Sequence, residues 1–114
     1  MDNVRRGDLV TIAVSGDYGK PRPALVIQAD SFSDLTSVTV LRLTSTLHDA
    51  PLVRVTVRPS AENSLRVVSQ VMIDRAISVP RDKVGRSFGK LDDDAMRAVN
   101  RALVNFLGLA DVMH

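Results

Sequence analysis

Apolar and polar residues alternate over most of this chain, which is the spacing expected of β-strands. The alternation is clearest in residues 52–58, where Val53, Val55 and Val57 face one way and arginine and threonine side chains face the other. The same reasoning predicts further strands at residues 9–14, 24–28 and 38–44, a β-region around 65–73, and a short strand at 76–79 that Pro80 ends. The pattern therefore predicts a protein built mainly from strands.

The end of the chain changes its period, because apolar residues recur there every three or four positions, as on one face of a helix. These residues are Ala95, Met96, Val99, Ala102, Leu103, Phe106 and Leu107. Asp92 is predicted to cap the N-terminus, with Asp93 pairing Arg97 and with Asp93 and Asp94 complementing the helix dipole; Gly108 closes the C-terminus. We expect a mainly β (α+β) fold, a small, strongly curved antiparallel sheet or barrel carrying one C-terminal α-helix.

Length and composition limit the class of protein. A chain of 114 residues with 45% hydrophobic content fits one globular domain, here residues 1–114. No apolar run approaches the roughly 18 to 20 residues that span a bilayer, and the charged N-terminus is not a secretory signal. Cysteine is absent, which excludes disulfides, thiolate nucleophiles and cysteine-ligated metals. A cytoplasmic protein without contact to membranes is the simplest expectation.

The charges are unevenly distributed, although the net charge of +2 is modest. Three consecutive aspartates, residues 92–94, lie near the end of the chain, whereas many basic residues precede them. Those of the β-region are Arg5, Arg6, Lys20, Arg22, Arg42, Arg54, Arg58 and Arg66. A basic β-region suits an anionic ligand. On this pattern alone, charge that only keeps the protein soluble remains an equal alternative.

Arg22 is the most informative single residue, because it lies between Pro21 and Pro23 at the start of an apolar strand. Proline fixes its own φ and disfavours the α-region for the residue before it, so this segment is predicted to be stiff and extended. A guanidinium held in this way can bind a phosphate through two parallel hydrogen bonds. In the preceding loop Tyr18, which can stack on a base, and Lys20 are further candidates for binding a nucleic acid.

A second candidate surface is the polar face of the strand at 52–58, which carries Arg54, Thr56 and Arg58. Arg42 and Thr44 of the neighbouring strand are candidates to extend it, but the sequence leaves the register between the strands open. Such a face could bind a phosphate backbone. The alternative, a solvated strand face without a ligand, remains open on the pattern alone.

Several catalytic chemistries are disfavoured by the residues available. A paired-histidine ribonuclease needs two imidazoles in one site, and the chain has only His48, in a polar loop, and His114, its last residue. The aspartates 92–94 could hold Mg²⁺, but a helix N-terminus explains them more simply. A Walker loop and a dinucleotide fingerprint are both missing from the sequence, so no cofactor and no metal site is predicted.

RNA cleavage by the RNA's own 2′-hydroxyl requires the fewest catalytic groups from the protein, because the substrate supplies the nucleophile. The enzyme must align that oxygen, stabilise the charge on the phosphorane and help the 5′-oxygen leave, which preorganised donors can do. Arg22 supplies a permanent cation with several N–H donors, and Thr44 supplies a hydroxyl. Because arginine is essentially always protonated, it suits an electrostatic or acid role and not that of a base. The identity of a general base remains open.

Several segments, taken in order, resemble the MazF/PemK family of toxin–antitoxin endoribonucleases over nearly the whole chain. They are residues 6–10 (RGDLV), 22–27 (RPALVI), 41–45 (LRLTS), 69–74 (SQVMID), 77–79 (ISV) and 89–91 (GKL). The chain departs from the family pattern in two places. Residues 15–21 form a shorter loop without the usual Gly-Ser-Glu-Gln segment, and Arg75-Ala76 stands where Gln-Ile is common.

The resemblance implies catalytic roles for Arg22 and for its partner Thr44, and it makes Arg42, Ser45 and Ser69 candidates for RNA binding. It also implies an SH3-like barrel, a homodimer with RNA running across its surface, and neutralisation by an antitoxin protein. The implied activity is sequence-specific, metal-independent cleavage of single-stranded RNA.

Two other functions stay open at this point. A gyrase poison of the related CcdB type shares the barrel, but its characteristic tryptophan-bearing C-terminal tail has no counterpart here, because the chain has no tryptophan. A non-catalytic barrel that binds nucleic acid or protein would show salt-sensitive binding without strand scission.

Overall fold

One antiparallel sheet of six strands and one α-helix make up the fold in our computed structural model, which describes residues 4–13 and 20–111. The strands are β1 (Asp8–Ile12), β2 (Arg22–Val26), β3 (Ser37–Thr44), β4 (Arg54–Val57), β5 (Ser69–Pro80) and β6 (Val84–Lys90). The helix is α1 (Asp93–Phe106), and 3-10 turns lie at Asp30–Phe32 and Arg81–Lys83. The mainly β class with a C-terminal helix is confirmed.

The sheet is curved but not closed. Its strand order is β4-β5-β3-β2-β1-β6, and no pairing joins the two outer strands within the described residues. The curvature coincides with register shifts in the β1–β6 and β3–β5 pairs. In the second, Leu41 pairs with Ala76 and Leu43 with Val71, so β5 carries extra residues that increase the local twist. "Barrel" thus describes the curvature of this sheet and not a closed ring of strands.

Both faces of the central strands are buried, which explains their nearly continuous apolar runs. One face packs against α1 through Val99 and Leu103. The sheet residues of this first cluster are Leu9, Leu25, Leu41, Leu43, Val57, Val71 and Ile73. The opposite face holds a second cluster, Val10, Ile12, Ala24, Val26, Val38, Val40 and Val79. Neighbouring residues such as Leu9 and Val10 therefore belong to different clusters, as the two-residue period of a strand requires.

The predicted strands at 9–14, 24–28, 38–44 and 52–58 overlap β1 to β4, but the prediction for the next region is wrong in two respects. β5 is one continuous strand where two segments were expected, and β6 was not predicted. Glycine weakened the β6 signal, although both of its glycines serve close packing. A Cβ on Gly85 would lie 2.4 Å from Thr11 Oγ1, and one on Gly89 would lie 2.4 Å from the carbonyl oxygen of Asn63.

The helix termini follow the sequence closely. The Asp92 carboxylate accepts the backbone N–H three residues further on at 2.7 Å, and Gly108 adopts the left-handed conformation (φ +67°) beyond the last turn. One expectation is wrong, because Arg97 contacts Asp94 and not Asp93. Within the described residues, no helix has the length and apolar character needed to cross a bilayer.

Candidate active site

A cleft of about 380 Å³ opens at one end of the sheet, where β2 begins and β3 ends. Arg22 and Thr44 both line this cleft, together with Arg42, Ser45 and Ser69. The remaining lining residues are Pro23, Leu43, Thr46, Leu65, Arg66, Val67 and Met72. Five of the eight residues named from the sequence therefore share one concave site.

Strand register explains why Arg22 and Thr44 meet. Ala24 of β2 pairs with Arg42 of β3, and the same antiparallel register continued by two residues sets Arg22 opposite Thr44. Directly opposed residues on one face have Cβ atoms about 4.5 to 5.5 Å apart. Because strand side chains alternate, these residues continue the face of the second cluster beyond its apolar part. The cleft is thus the polar, open end of a buried sheet face.

Two hydroxyl groups in the cleft are oriented by the adjoining loops. Thr44 Oγ1 accepts the backbone N–H of Thr46 at 3.0 Å, which fixes the oxygen and leaves the hydroxyl hydrogen to donate. Ser69 is buried, and its Oγ donates to the carbonyl oxygen of Val67 at 3.1 Å. Of the two, Thr44 is the better donor toward a ligand, whereas Ser69 offers an acceptor.

The lining is positively charged. Arg22 and Arg66 are exposed, Arg42 is half-buried, and the described part of the lining contains no carboxylate and no imidazole. Three guanidinium groups around one concavity attract an anion, because a guanidinium carries a permanent positive charge and N–H donors suited to phosphate oxygens.

Arg54 lies outside this cleft. Its Nη1 donates to Asp74 Oδ1 at 2.5 Å and to the carbonyl oxygen of Val53 at 2.9 Å. This ion pair directs Arg54 to a separate groove between the β4 edge and α1, so the expected arginine ladder does not extend the cleft. Lys20 is exposed before β2 but is not part of the lining, and Tyr18 lies outside the described residues.

Asp74 has a perturbed pKa that reflects this pairing. Desolvation alone would raise the pKa of the carboxyl group. The hydrogen bond from Arg54, a backbone hydrogen bond, and the charges of Arg54 and Arg75 outweigh that effect and hold the pKa below its usual range. Asp74 is therefore a structural carboxylate with its charge already neutralised by a neighbouring guanidinium.

Gln70 does not line the cleft but holds a loop that does, and the sequence reasoning did not single it out. It is buried, its Nε2 donates to the carbonyl oxygen of His48 at 3.0 Å and to Thr56 Oγ1 at 3.2 Å, and its Oε1 accepts the His48 N–H at 3.0 Å. These bonds hold the loop between β3 and β4, whose first residues, Ser45 and Thr46, line the cleft. The available signal was an amide side chain directly before the apolar run of residues 71–73.

The other residues considered for catalysis or metal binding, His48 and the consecutive aspartates, make local structural contacts. His48 is exposed and takes part in the Gln70 contacts through its backbone only. Asp92 caps α1 and Asp94 contacts Arg97, which accounts for two of the three consecutive aspartates. Across the described residues, no cluster of three or more histidine or carboxylate side chains is arranged to hold a metal ion.

Comparison with known proteins identifies the family. The family profile described as PemK-like, MazF-like toxin of type II toxin-antitoxin system matches residues 5–107. The chain therefore belongs to this toxin family, which confirms the resemblance, and the gyrase-poison alternative is not favoured. A Mycolicibacterium smegmatis protein described as a probable endoribonuclease MazF is 44% identical over 108 residues, covering 94% of this chain and 99% of that protein.

Solved structures agree with the fold. The Mycobacterium tuberculosis toxin MazF-mt6 superimposes with a TM-score of 0.74 and 27% identity, over 86% of this chain and 93% of that toxin. A mycobacterial endoribonuclease solved in complex with its cognate antitoxin gives a TM-score of 0.79 over 93% of this chain and 96% of that one. Its identity of 23% makes this second comparison one of fold alone.

Proposed function

We propose that this toxin cuts single-stranded RNA in the cleft shared by Arg22 and Thr44. The endoribonuclease activity follows from membership of the family and from the 44% identical relative whose name gives that activity. The location of the active site is proposed from one observation. A single cleft is lined by the proline-flanked Arg22, the oriented hydroxyl of Thr44 and two further arginines.

In the proposed reaction the RNA supplies the nucleophile. The 2′-oxygen forms a bond to the adjacent phosphorus, the bond from phosphorus to the 5′-oxygen breaks, and the 2′-hydroxyl proton leaves while the departing oxygen gains one. The products are a 2′,3′-cyclic phosphate and a 5′-hydroxyl, and this step consumes no water. The described lining contains no carboxylate and no imidazole that could accept the proton, so no residue is assigned as the general base.

Arg22 stabilises the charge that grows on the phosphorane, and Thr44 donates its hydroxyl hydrogen to the same group. Preorganised donors of this kind act without reorganising during the reaction, and removing one typically costs about 10²- to 10³-fold in rate. Cleavage is proposed to be independent of metal, because guanidinium groups take the electrostatic role that a cation would otherwise have. Arg42, Ser45 and Ser69 contact the RNA beside the scissile phosphate, and cleavage is proposed to be sequence-specific.

Arg22→Ala tests this proposal, with Arg86→Ala as the matched control because Arg86 is also exposed but lies outside the lining. We expect Arg22→Ala to abolish cleavage of single-stranded RNA on a denaturing gel while its thermal unfolding stays that of the wild type. Cleavage by the wild type should persist in EDTA and fail when the scissile 2′-hydroxyl is replaced by hydrogen. Full activity of Arg22→Ala would remove the assignment.

The proposed partners are the RNA substrate, a cognate antitoxin protein and a second copy of the toxin in a cytoplasmic homodimer. The antitoxin is supported by the family description and by the related fold solved with its own antitoxin. A solution mass of twice the 12.4 kDa chain, and loss of cleavage on adding the antitoxin, are the expected results. A monomeric mass at micromolar concentration would contradict the dimer.

A further inference from the structure

The loop between β4 and β5, residues 58–68, is built around a buried asparagine. Asn63 is only 4% exposed, and its Nδ2 donates to the carbonyl oxygen of Arg58 at 2.9 Å. Its Oδ1 accepts the N–H groups of Ser60 and Leu65, each at 2.9 Å. One side chain therefore satisfies three backbone groups of its own loop, which a loosely held loop would leave to water.

This loop is also fixed to the neighbouring strand. The carbonyl oxygen of Glu62 accepts the N–H of Lys90 at 3.0 Å, and Gly89 packs so closely on Asn63 that a Cβ would overlap its carbonyl group. Ser64 follows in the left-handed conformation (φ +56°), a position that non-glycine residues adopt at some cost. The contacts around Ser64 hold it in this conformation, so the loop has one defined backbone conformation.

The segment that follows forms part of the cleft lining. Leu65, Arg66 and Val67 line the cleft, and Arg66 and Val67 are exposed, the latter by 55%. Within residues 4–13 and 20–111, the Arg66 guanidinium has neither a hydrogen-bond nor an ion-pair partner. A preorganised loop thus presents an arginine with all its donors available to a site that already contains two other arginines.

We propose that Arg66 binds a second phosphate of the RNA, next to the phosphate held by Arg22, and that Asn63 is the positioning residue that keeps the loop in place. This inference rests on the proposed function, because it concerns the same cleft. A phosphate is favoured over a base edge because the cleft is uniformly positive, and a guanidinium needs no particular base to bind phosphate oxygens.

The experiment uses an RNA whose scissile 2′-hydroxyl is replaced by hydrogen, so that binding is measured without cleavage. Arg66→Ala is expected to weaken binding about tenfold for RNAs of different sequence alike, and to lower the slope of log Kd against log salt by about 0.7. Arg66→Lys should recover much of the affinity, and Arg86→Ala should bind as the wild type does. Unchanged binding by Arg66→Ala, or a weakening confined to particular bases, would overturn the phosphate assignment.

Asn63 is tested by non-additivity. Asn63→Ala should weaken RNA binding in the wild-type background and have little further effect in the Arg66→Ala background, because its role acts through that arginine. Equal effects in both backgrounds would contradict the positioning role, and the exposed Arg66 variants remain informative if Asn63→Ala does not fold.

Should Arg22→Ala still cleave while Arg66→Ala loses affinity, the proposed catalytic site fails and the second phosphate contact stands. If Arg22→Ala does not cleave and Arg66→Ala binds RNA as the wild type does, the assignment of Arg66 fails and the proposed catalytic site stands.

Discussion

Thr44 is useful for testing the chemistry at the level of one residue, because its oxygen is already fixed by the Thr46 N–H. Thr44→Val keeps the shape but removes both the hydroxyl donor and the acceptor of the Thr46 N–H, so we expect cleavage to slow by about 10²- to 10³-fold. Thr44→Ser keeps the hydroxyl and should remain within about tenfold of the wild type. Single-turnover cleavage of a fluorogenic RNA measures both. A valine variant as fast as the wild type would show that Thr44 only lines the cleft.

The ion pair of Asp74 with Arg54 predicts a pH dependence of stability. The pKa of Asp74 in the folded protein is lowered, so the charged carboxylate stabilises the fold above about pH 4, and this contribution is lost as the pH falls through the lowered pKa. Asp74→Asn should therefore cost about 1 kcal/mol at neutral pH and much less near pH 2. Urea unfolding of both proteins at the two pH values tests this. A difference independent of pH would contradict it.

The contrast between Arg22 and Arg54 shows which site residues a sequence can predict. Arg22 is held by its flanking prolines and by pairing with Ile12 of β1, and it lines the cleft. Arg54 is directed elsewhere by Asp74, which lies in the irregular stretch of β5 between the residues paired with Leu41 and Leu43. Such a shift in register, and the ion pair that it permits, cannot be derived from alternation alone.

At the level of the element, the loop between β3 and β4 depends on Gln70. Gln70→Leu removes three hydrogen bonds and leaves both backbone groups of His48 without these partners, so we expect a loss of about 2 kcal/mol in stability. Because Ser45 and Thr46 belong to this loop, cleavage efficiency should fall as well, with faster hydrogen exchange at the His48 amide.

Gln28 is a matched control for Gln70. Its Nε2 donates to the carbonyl oxygens of Phe32 and Ser37 at 3.0 and 3.3 Å, and its Oε1 accepts the Thr39 N–H at 3.0 Å, away from the cleft. Gln28→Leu should lose comparable stability and keep its cleavage efficiency at temperatures where it is folded. If both variants lose cleavage equally, Gln70 acts through general stability and not by positioning the loop.

The success of prediction differs among the elements for physical reasons. The helix was predicted with both caps because capping depends on a few neighbouring residues, Asp92 and Gly108 above all. β6 was missed because its glycines are required by contacts with Thr11 and Asn63, which lie far away in sequence. β5 was divided in the prediction at its exposed polar residues, whereas pairing with β3 and β4 keeps it continuous. Long-range pairing thus decides what local propensity leaves open.

At the scale of the whole molecule, charge is separated and not simply in excess. The net charge of +2 is small, yet three arginines surround the cleft while aspartates 92–94 lie at the start of α1. Attraction of RNA should therefore depend on the local field of the cleft and only weakly on net charge. This separation distinguishes a specific polyanion site from a chain that is merely basic.

The salt dependence of RNA binding tests this view. If three arginines each neutralise one phosphate, log Kd should rise with log salt with a slope of about 2, since single strands release about 0.7 counterion per contact. Asp93→Asn raises the net charge by one at a residue outside the cleft lining and should leave that slope unchanged, whereas Arg22→Ala should reduce it to about 1.4. Binding is measured by fluorescence anisotropy on RNA that lacks the scissile 2′-hydroxyl. A slope near zero, or one that follows net charge in the Asp93 variant, would mean that the three-arginine cleft is not where the RNA backbone binds.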